Sequence, residues 1–195
     1  MHDQTTSERI LESALHLFST RGYVGATTKE IAKNAGIAEV TLFRHFESKK
    51  KLFETVLNSY TFLPDLKGLL PQVADKPYDE AMTIIAERFY DKLSVRKDMI
   101  RLVQAEVQRY PEKLMGTYHK FIHELWQTLA SYFYELQRSG TIIKFDPEIG
   151  ARAFLGMCFA YFSATELMLD RKPDKKTREE TLKGFVNIFV RGTTA

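Results

Sequence analysis

The sequence is poor in cysteine, since Cys158 is the only one among 195 residues. A single cysteine cannot form an internal disulfide, which excludes a small secreted scaffold held by disulfides and favours the reducing cytoplasm. The N-terminus also lacks the basic-then-apolar pattern of a signal peptide. The longest charge-free apolar stretch, 153–165, is shorter than the roughly 20 residues that a membrane span requires. We therefore expect a core helix there and no membrane partner.

A strong excess of charge of one sign is also absent. The net charge is +3, and the first sixty residues carry eight Lys and Arg against seven Asp and Glu. Bulk charge therefore gives no evidence for nucleic-acid binding, and such a function must be inferred from residue spacing and local basic clusters. The run Lys49–Lys51 by itself is typical of a solvated helix face.

The sequence has few residue groups that suit catalysis or metal binding. No Ser/His/Asp or Cys/His arrangement, glycine-rich phosphate loop or metal-ligand set is apparent. His119 and His123 have a spacing that can bind a metal, but no third ligand accompanies them, so surface or core-edge positions are favoured. Cys158 lies in an apolar segment and is expected to be a small buried side chain, not a redox sensor. We therefore predict no enzyme, no metal site and no cofactor.

Apolar residues recur with the helical period from end to end, and no segment alternates as strands do. This pattern predicts an all-α protein of about nine helices. Capping boxes at Thr5, Thr27 and Thr177, each with Glu three residues later, predict helix starts. The segment from Pro64 to Pro77 holds three prolines and a glycine, so a connector is predicted there. The later helices are predicted at about 77–93, 97–109, 111–138, 147–170 and 175–191.

The segment 27–46 contains two short amphipathic helices that meet at Gly36. The small residue Ala32 allows the helices to cross closely, and the apolar Ile31, Ile37 and Leu42 fix their angle. A supporting helix, a tight turn and a second helix with a free outward face form a helix-turn-helix, whose second helix can enter a major groove. The outward positions of the second helix are Ala38, Glu39, Thr41 and Arg44, with Val40 and His45 at the edges.

This segment resembles the DNA-binding domain of the TetR family of bacterial transcriptional regulators. The resemblance covers about Ser7 to Leu57 and implies a three-helix DNA-binding domain over residues 1–48. It further implies a larger helical domain over 49–195 that binds an effector and dimerises. The matching residues are Phe18, Gly22, Thr27, Thr28, Ile31, Ala32, Ala35, Gly36, Ile37, Thr41, Leu42, Phe43, His45, Phe46, Ser48, Lys49 and Leu52.

The resemblance also implies roles for single residues. Base edges would be contacted by Arg44 on guanine, Glu39 on cytosine and Val40 on a thymine methyl, together with Thr41. The DNA backbone would be contacted by Thr28, Lys29, Phe43, His45 and Lys49. Phe43 stands where the family usually has tyrosine, so a phenol-to-phosphate hydrogen bond is not expected.

Two long helices near the C-terminus have wide apolar faces. Phe154, Tyr161 and Met168 belong to one, and Phe185 and Phe189 to the other. A single chain cannot easily cover both faces, and the TetR family pairs such helices in a four-helix interface. We therefore predict a homodimer through the last two helices, bound to a pseudo-palindromic double-stranded DNA operator, most simply as a repressor.

The larger domain is rich in aromatic and methionine side chains, which favours a cavity for a small hydrophobic effector. Glu106 has two interpretations: a rim residue paired with Arg101 or Arg109, or a polar group in an apolar cavity. A helical protein-interaction scaffold without DNA binding is the alternative, although it leaves Thr41 and Arg44 unexplained. The predicted effector-binding residues are Phe89, Met99, Leu102, Glu106, Tyr118, Ile122, Trp126 and Phe159.

Overall fold

The computed structural model describes residues 5–195, apart from the side chain of Lys113. Within this range the structure is helical, and the one extended pairing is an isolated bridge between Ile142 and Thr194. The predicted all-α fold is confirmed. The helices are α1 (Thr6–Gly25), α2 (Thr28–Asn34), α3 (Glu39–Phe46), α4 (Lys49–Tyr60), α5 (Phe62–Val73), α6 (Tyr78–Val95), α7 (Lys97–Arg109), α8 (Pro111–Arg138), α9 (Pro147–Phe162), which continues as the π-helix Ser163–Met168, and α10 (Lys175–Thr193).

The first two helices begin where the capping boxes predict. The Thr5 side chain accepts a hydrogen bond from the backbone N–H of Glu8, and the Glu8 carboxylate accepts one from that of Thr5. Thr27 and Glu30 repeat this exchange at the start of α2. Each exchange satisfies backbone donors that a helix leaves free at its first turn. Both predicted capping boxes are confirmed.

The predicted connector over 64–77 is wrong, because α5 occupies Phe62–Val73. Pro64 lies in the first turn of α5, where the missing N–H has no helical partner to lose. Leu63, Leu66 and Leu69 recur at helical spacing and are buried. The apolar period, and not the prolines, decides the structure of this segment.

The predicted capping box at Thr177 is also wrong. α10 begins at Lys175 with Asp174 as its N-cap, and the Asp174 side chain accepts from the backbone N–H of Thr177. The hydrogen bonds from Thr177 lower the pKa of Asp174. The helix therefore begins at the predicted residue 175, but its cap is Asp174 and not Thr177, because aspartate is at least as good a cap.

The chain folds as two compact units: Met1–Tyr60 with Asp98–Phe121, and Thr61–Lys97 with Ile122–Ala195. In the first unit, α1, α2, α3 and α4 share one apolar core with Met99, Val103 and Val107 of α7. The Phe18 ring packs edge-on against Phe53, with 5.2 Å between centroids. This core fixes the helix-turn-helix onto α7. The division between residues 48 and 49 that the sequence suggests remains a prediction.

In the second unit, α6 packs against α9 and α10. Phe189 of α10 lies against Phe133 and Phe154, with ring centroids 5.6 and 5.1 Å apart. Part of the apolar surface of the last two helices is therefore covered within one chain, since Phe154 and Phe189 are both buried. Over residues 5–195, no helix has the length and apolar character that a bilayer crossing demands.

Candidate nucleic-acid interface

The supporting helix α2 and the second helix α3 are joined by a tight turn at Gly36, whose φ is +67°. A residue with a side chain rarely adopts this conformation, so glycine suits the turn. Leu42 and Phe46 point into the core, which holds α3 by one face and leaves the opposite face to solvent. The helix-turn-helix geometry predicted from the spacing is present.

The outward face of α3 carries the residues predicted to meet base edges. Val40 is 59% exposed, and Arg44 is also exposed. Thr41 and Glu39 are partly buried at the side of this face. An exposed valine beside an exposed arginine offers a methyl contact and a bidentate donor, two devices by which a helix in a major groove distinguishes bases.

Thr28 and Glu39, both predicted to contact DNA, contact each other. The Thr28 hydroxyl donates a hydrogen bond to Glu39 Oε1 over 2.6 Å, which ties the first turn of α2 to the first turn of α3. One oxygen of the Glu39 carboxylate is therefore engaged within the protein, so a base contact by Glu39 would use its other oxygen or share this one. The two residues are eleven positions apart in the sequence, and no local pattern predicted their contact.

Lys49 begins α4 and lies against the segment that leads from α1 to α2. Its Nζ donates to the Val24 carbonyl oxygen over 3.3 Å and lies 4.7 Å from the centroid of the Tyr23 ring. These contacts position the ammonium group in the same unit as α3. A positioned cation near a helix-turn-helix can bind a backbone phosphate.

The other predicted backbone contacts are all on the surface. Lys29 and His45 are exposed, and Phe43 is 41% exposed. Phe43 offers an apolar ring without a hydroxyl, so it can pack on a sugar but cannot donate to a phosphate. None of these three side chains serves the core, which is consistent with a surface that meets a partner.

The predicted effector residues are divided between the two units. Met99, Leu102 and Glu106 line an apolar cavity of the first unit with an open volume of about 10 Å³, which is scarcely enough for one water molecule. Tyr118 is partly buried in the same unit, and burial raises its pKa. An effector in this cavity would have to displace side chains, so its location remains a prediction.

The remaining predicted effector residues belong to the second unit. Phe89 is buried against Phe62, with 5.0 Å between ring centroids. Trp126 lies under the Arg152 guanidinium, whose carbon is 4.4 Å from the ring centroid. Ile122 and Phe159 are partly buried.

Glu106 has a partner that neither sequence interpretation contained. It does line the small cavity, but its Oε2 accepts a hydrogen bond from the backbone N–H of Val24 over 3.2 Å. Gly22 lies at the same place with a φ of +77°, and a Cβ there would come within 2.8 Å of the Glu106 carboxylate. The only signal in the sequence was Gly22 itself, whose freedom from a side chain allows this close approach.

The sequence predicts no functional role for two histidines and the cysteine, and these side chains lie at the surface and in the core. His119 and His123 are exposed, and His123 Nδ1 lies 3.7 Å from Glu148 Oε1. Cys158 is fully buried, and burial raises the pKa of its thiol to about 12. A thiol with such a pKa is protonated at neutral pH and unreactive, which agrees with the predicted structural role.

Two family models match the chain. Residues 10–56 match "Bacterial regulatory proteins, tetR family", and residues 80–192 match "AefR-like transcriptional repressor, C-terminal domain". The HTH-type transcriptional regulator YvkB of Bacillus subtilis (strain 168) is 27% identical over 190 residues, which cover 97% of this chain and 98% of that protein. IcaR of Staphylococcus aureus (strain Newman), a negative regulator of a biofilm operon, is 27% identical over 124 residues, covering 63% of this chain and 64% of that protein.

A solved structure agrees with these matches at the level of the fold. The transcriptional regulator FadR of Bacillus subtilis, solved with stearoyl-CoA, superposes with a TM-score of 0.74 at 17% identity, covering 94% of this chain and 97% of that chain. The fold and the exposed second helix define this protein as a helix-turn-helix transcriptional regulator. It belongs to the TetR family of bacterial regulatory proteins, which confirms both the predicted family and the prediction of a regulator in place of an enzyme.

Proposed function

We propose that the protein is a repressor that binds a pseudo-palindromic operator as a homodimer and is released by a small hydrophobic effector. The observation that carries this proposal is the free face of α3, where Val40 and Arg44 are exposed beside a core-facing Leu42. A helix held by one face and free on the other is the arrangement that docks in a major groove. Residues 1–48 would form the DNA-binding domain and 49–195 the effector-binding and dimerisation domain, acting on cytoplasmic DNA.

In this proposal, the α3 side chains divide into two groups. Arg44, Val40 and Thr41 contact base edges, and Glu39 joins them through the carboxylate oxygen that is not bonded to Thr28 or by sharing that bond. The backbone is held by Thr28, Lys29, Phe43, His45 and Lys49. The first group gives sequence preference, and the second gives affinity that salt weakens.

Dimerisation through the last two helices is supported by apolar side chains left exposed on them. Ile149 of α9 is 63% exposed, Met168 of the π-helix 80%, and Ile188 of α10 68%. Phe189 faces the core of its own chain, so the interface would use the exposed face of α10, which carries Ile188. An obligate dimer of this kind would bury roughly 2,000 Å² or more.

Repression is supported by similarity. The model that matches residues 80–192 describes a transcriptional repressor, and IcaR is a negative regulator. The simplest physical mechanism has the effector favour a dimer state whose recognition helices no longer fit the operator.

The first of two assays measures binding to DNA. Fluorescence anisotropy with a labelled random-sequence duplex should show binding at low salt that weakens steeply as salt rises. Absence of binding at concentrations of about 100 μM, where non-specific complexes of DNA-binding proteins form, would instead favour the helical interaction scaffold.

The effector assay uses Trp126, the only tryptophan of the chain. Apolar compounds that release DNA should also change its fluorescence if the predicted residues surround the effector. Trp126→Ala should alter the response to such a compound and leave binding of ligand-free protein to DNA unchanged, with Trp126→Phe as the matched variant that keeps an aromatic ring. Release by small, highly charged compounds alone would contradict a hydrophobic effector.

A further inference from the structure

The end of α9 carries a buried acidic residue inside an irregular helical turn. The helix widens into a π-helix over Ser163–Met168, a geometry that is rare and often marks functional sites. Glu166 lies in this segment and is 2% exposed. Of the side chains that the structure describes, it is the only charged one in the buried class. No feature of the DNA interface uses it.

The hydrogen bonds of Glu166 satisfy only half of its carboxylate. Oε2 accepts from the Ser94 hydroxyl over 3.0 Å, whereas Oε1 is buried and has no hydrogen-bond partner. No basic side chain of the described residues forms an ion pair with it. Lys97 and Arg178 of the same unit are engaged by Asp170 and Asp91, at 2.6 and 2.9 Å.

A carboxylate in this state is costly in free energy. Asp and Glu are almost never fully buried unless they are paired, because the protein interior does not replace the water that solvates the charge. An unsatisfied buried oxygen in a folded protein therefore requires an explanation, of which a bound partner is one. A positively charged hydrogen-bond donor would both satisfy the free oxygen and balance the charge of the carboxylate.

Tyr90 lies beside this carboxylate, and Tyr161 packs against Tyr90. The rings of Tyr90 and Tyr161 have centroids 5.5 Å apart, and the Tyr90 hydroxyl lies 3.4 Å from Thr165 Oγ1. Burial raises the pKa of Tyr90, and a hydrogen bond to the Glu166 carboxylate, together with the charge of that carboxylate, raises it further. The Tyr161 hydroxyl is itself buried without a hydrogen-bond partner. The site thus combines a buried carboxyl group, a second unsatisfied oxygen and two tyrosine rings, of which that of Tyr90 also lies 5.8 Å from the Arg178 guanidinium carbon.

The chemistry of this cluster selects among classes of ligand. An anion would be repelled by the carboxylate, and a neutral hydroxyl would satisfy Oε1 but leave the charge unbalanced. A divalent metal needs several charged ligands, and no group of three His, Cys, Asp or Glu able to hold one occurs among residues 5–195, the side chain of Lys113 aside. A protonated amine donates N–H groups, compensates the charge and is attracted to tyrosine rings.

We propose that Glu166, with Tyr90, Tyr161 and Ser94, forms a binding site for the ammonium group of an amphiphilic amine. This inference rests on the proposed function in one respect: it names the head group of the hydrophobic effector. The carboxylate binds the head group and the aromatic rings pack against the first carbons of the tail. Because Ser94 belongs to α6 and Glu166 follows α9, the ligand contacts both helices and its binding bears on how they pack.

The test compares three probes that differ only in their head group: hexylamine, hexanol and hexanoate. Isothermal titration calorimetry on the full chain at neutral pH, without DNA, measures the dissociation constant of each. Hexylamine should bind at least about tenfold more tightly than hexanol, the effect expected of one charge-assisted hydrogen bond. Hexanoate should bind more weakly than either. Equal affinities for the amine and the alcohol would overturn the proposal.

Glu166→Gln keeps the shape of the side chain and removes its charge. It should abolish the preference for hexylamine over hexanol, and Tyr161→Phe should reduce the preference while the ring remains. Glu180→Gln on the exposed part of α10 is the matched control and should keep the full preference. A preference unchanged in Glu166→Gln would assign amine binding to another site and refute the proposal. Circular dichroism verifies that each variant is folded, and Tyr161→Phe provides a second test should Glu166→Gln not fold.

The outcome is separable from that of the proposed function. Charge-selective amine binding in a protein that fails to bind any DNA would contradict the regulator function and leave the amine site standing. Operator binding without a preference for the amine would overturn the amine site alone.

Discussion

The carboxylate of Glu106 accepts a hydrogen bond from the backbone N–H of Val24, 82 residues earlier in the chain, with 3.2 Å between Oε2 and N. The backbone carbonyl of Val24 accepts a hydrogen bond from the Lys49 ammonium group. Val24 is therefore held from both sides, by α7 through its N–H and by α4 through its carbonyl. Gly22 permits this arrangement because it has no side chain to meet the carboxylate. The segment that leads into α2 is thus tied to α7.

The hydrogen bond between Glu106 and Val24 predicts that the stability of the protein is sensitive to substitution of Gly22. Gly22→Ala should lower the free energy of unfolding by about 1–3 kcal/mol, because its Cβ meets the Glu106 carboxylate and its φ is unfavourable for alanine. Urea unfolding measures the change. Gly25→Ala is the matched control, since a Cβ there meets only Arg21 at 3.5 Å, an ordinary contact. Equal effects of the two substitutions would show that the close approach of Glu106 to Gly22 does not contribute to stability.

Arg44 is predicted to give sequence preference. Arg44→Ala should weaken specific binding by about 1–3 kcal/mol and relax the preference at one base pair, as loss of a bidentate guanine contact does. Selection of bound sequences from a random pool with the variant measures this directly. Lys33→Ala, at the exposed end of α2, should leave the preference intact. A variant at Arg44 that selects the same sequences as the native protein would exclude base contact by this residue.

Lys49 is predicted to bind a phosphate and read no base. Lys49→Ala should weaken binding to all duplexes evenly and reduce the slope of log affinity against log salt by about one. The neighbouring Lys50, which is exposed, provides the control, and Lys50→Ala should keep the native slope. Because Lys49 also holds Val24, the stability of the variant is measured alongside. An unchanged slope in a folded Lys49→Ala protein argues against the phosphate contact.

Ile188 is predicted to lie in the dimer interface. Ile188→Asp should yield monomers at micromolar concentration in analytical ultracentrifugation, because a buried unpaired carboxylate is costly. Asn187→Asp adds the same charge at the adjacent exposed position and should leave the dimer in place. Phe189→Asp is less informative, since Phe189 packs in its own chain and its loss would unfold the protein. A native protein that is monomeric at this concentration would refute the predicted interface.

The parts of this structure that local sequence determines were predictable. Capping boxes at Thr5 and Thr27 and the turn at Gly36 each involve residues within four positions of one another, so spacing alone located the first helices. The error at α5 arose from weighing two signals, proline and apolar period, that only the folded environment ranks. Pro64 falls where a helix tolerates it, and the buried leucines decide the outcome.

The parts that were not predictable depend on residues far apart in the chain. The bond between Thr28 and Glu39 and that between Glu106 and Val24 arise from tertiary placement, which no local pattern encodes. Glu166 left a faint signal, since it follows Phe154 and Phe162 at multiples of four residues and so continues a buried stripe. An acidic residue in that register predicts a buried charge.

Selection of bound DNA from a random pool tests the central claim most directly. A dimer that places two copies of α3 on one duplex should enrich a two-fold symmetric sequence whose half-sites are separated by about ten base pairs, or a multiple, from centre to centre. Substituting Arg44 should change the enriched half-site at one position in both copies. Enrichment of no sequence, or of one without two-fold symmetry, would contradict the claim that this protein binds an operator as a dimer through α3.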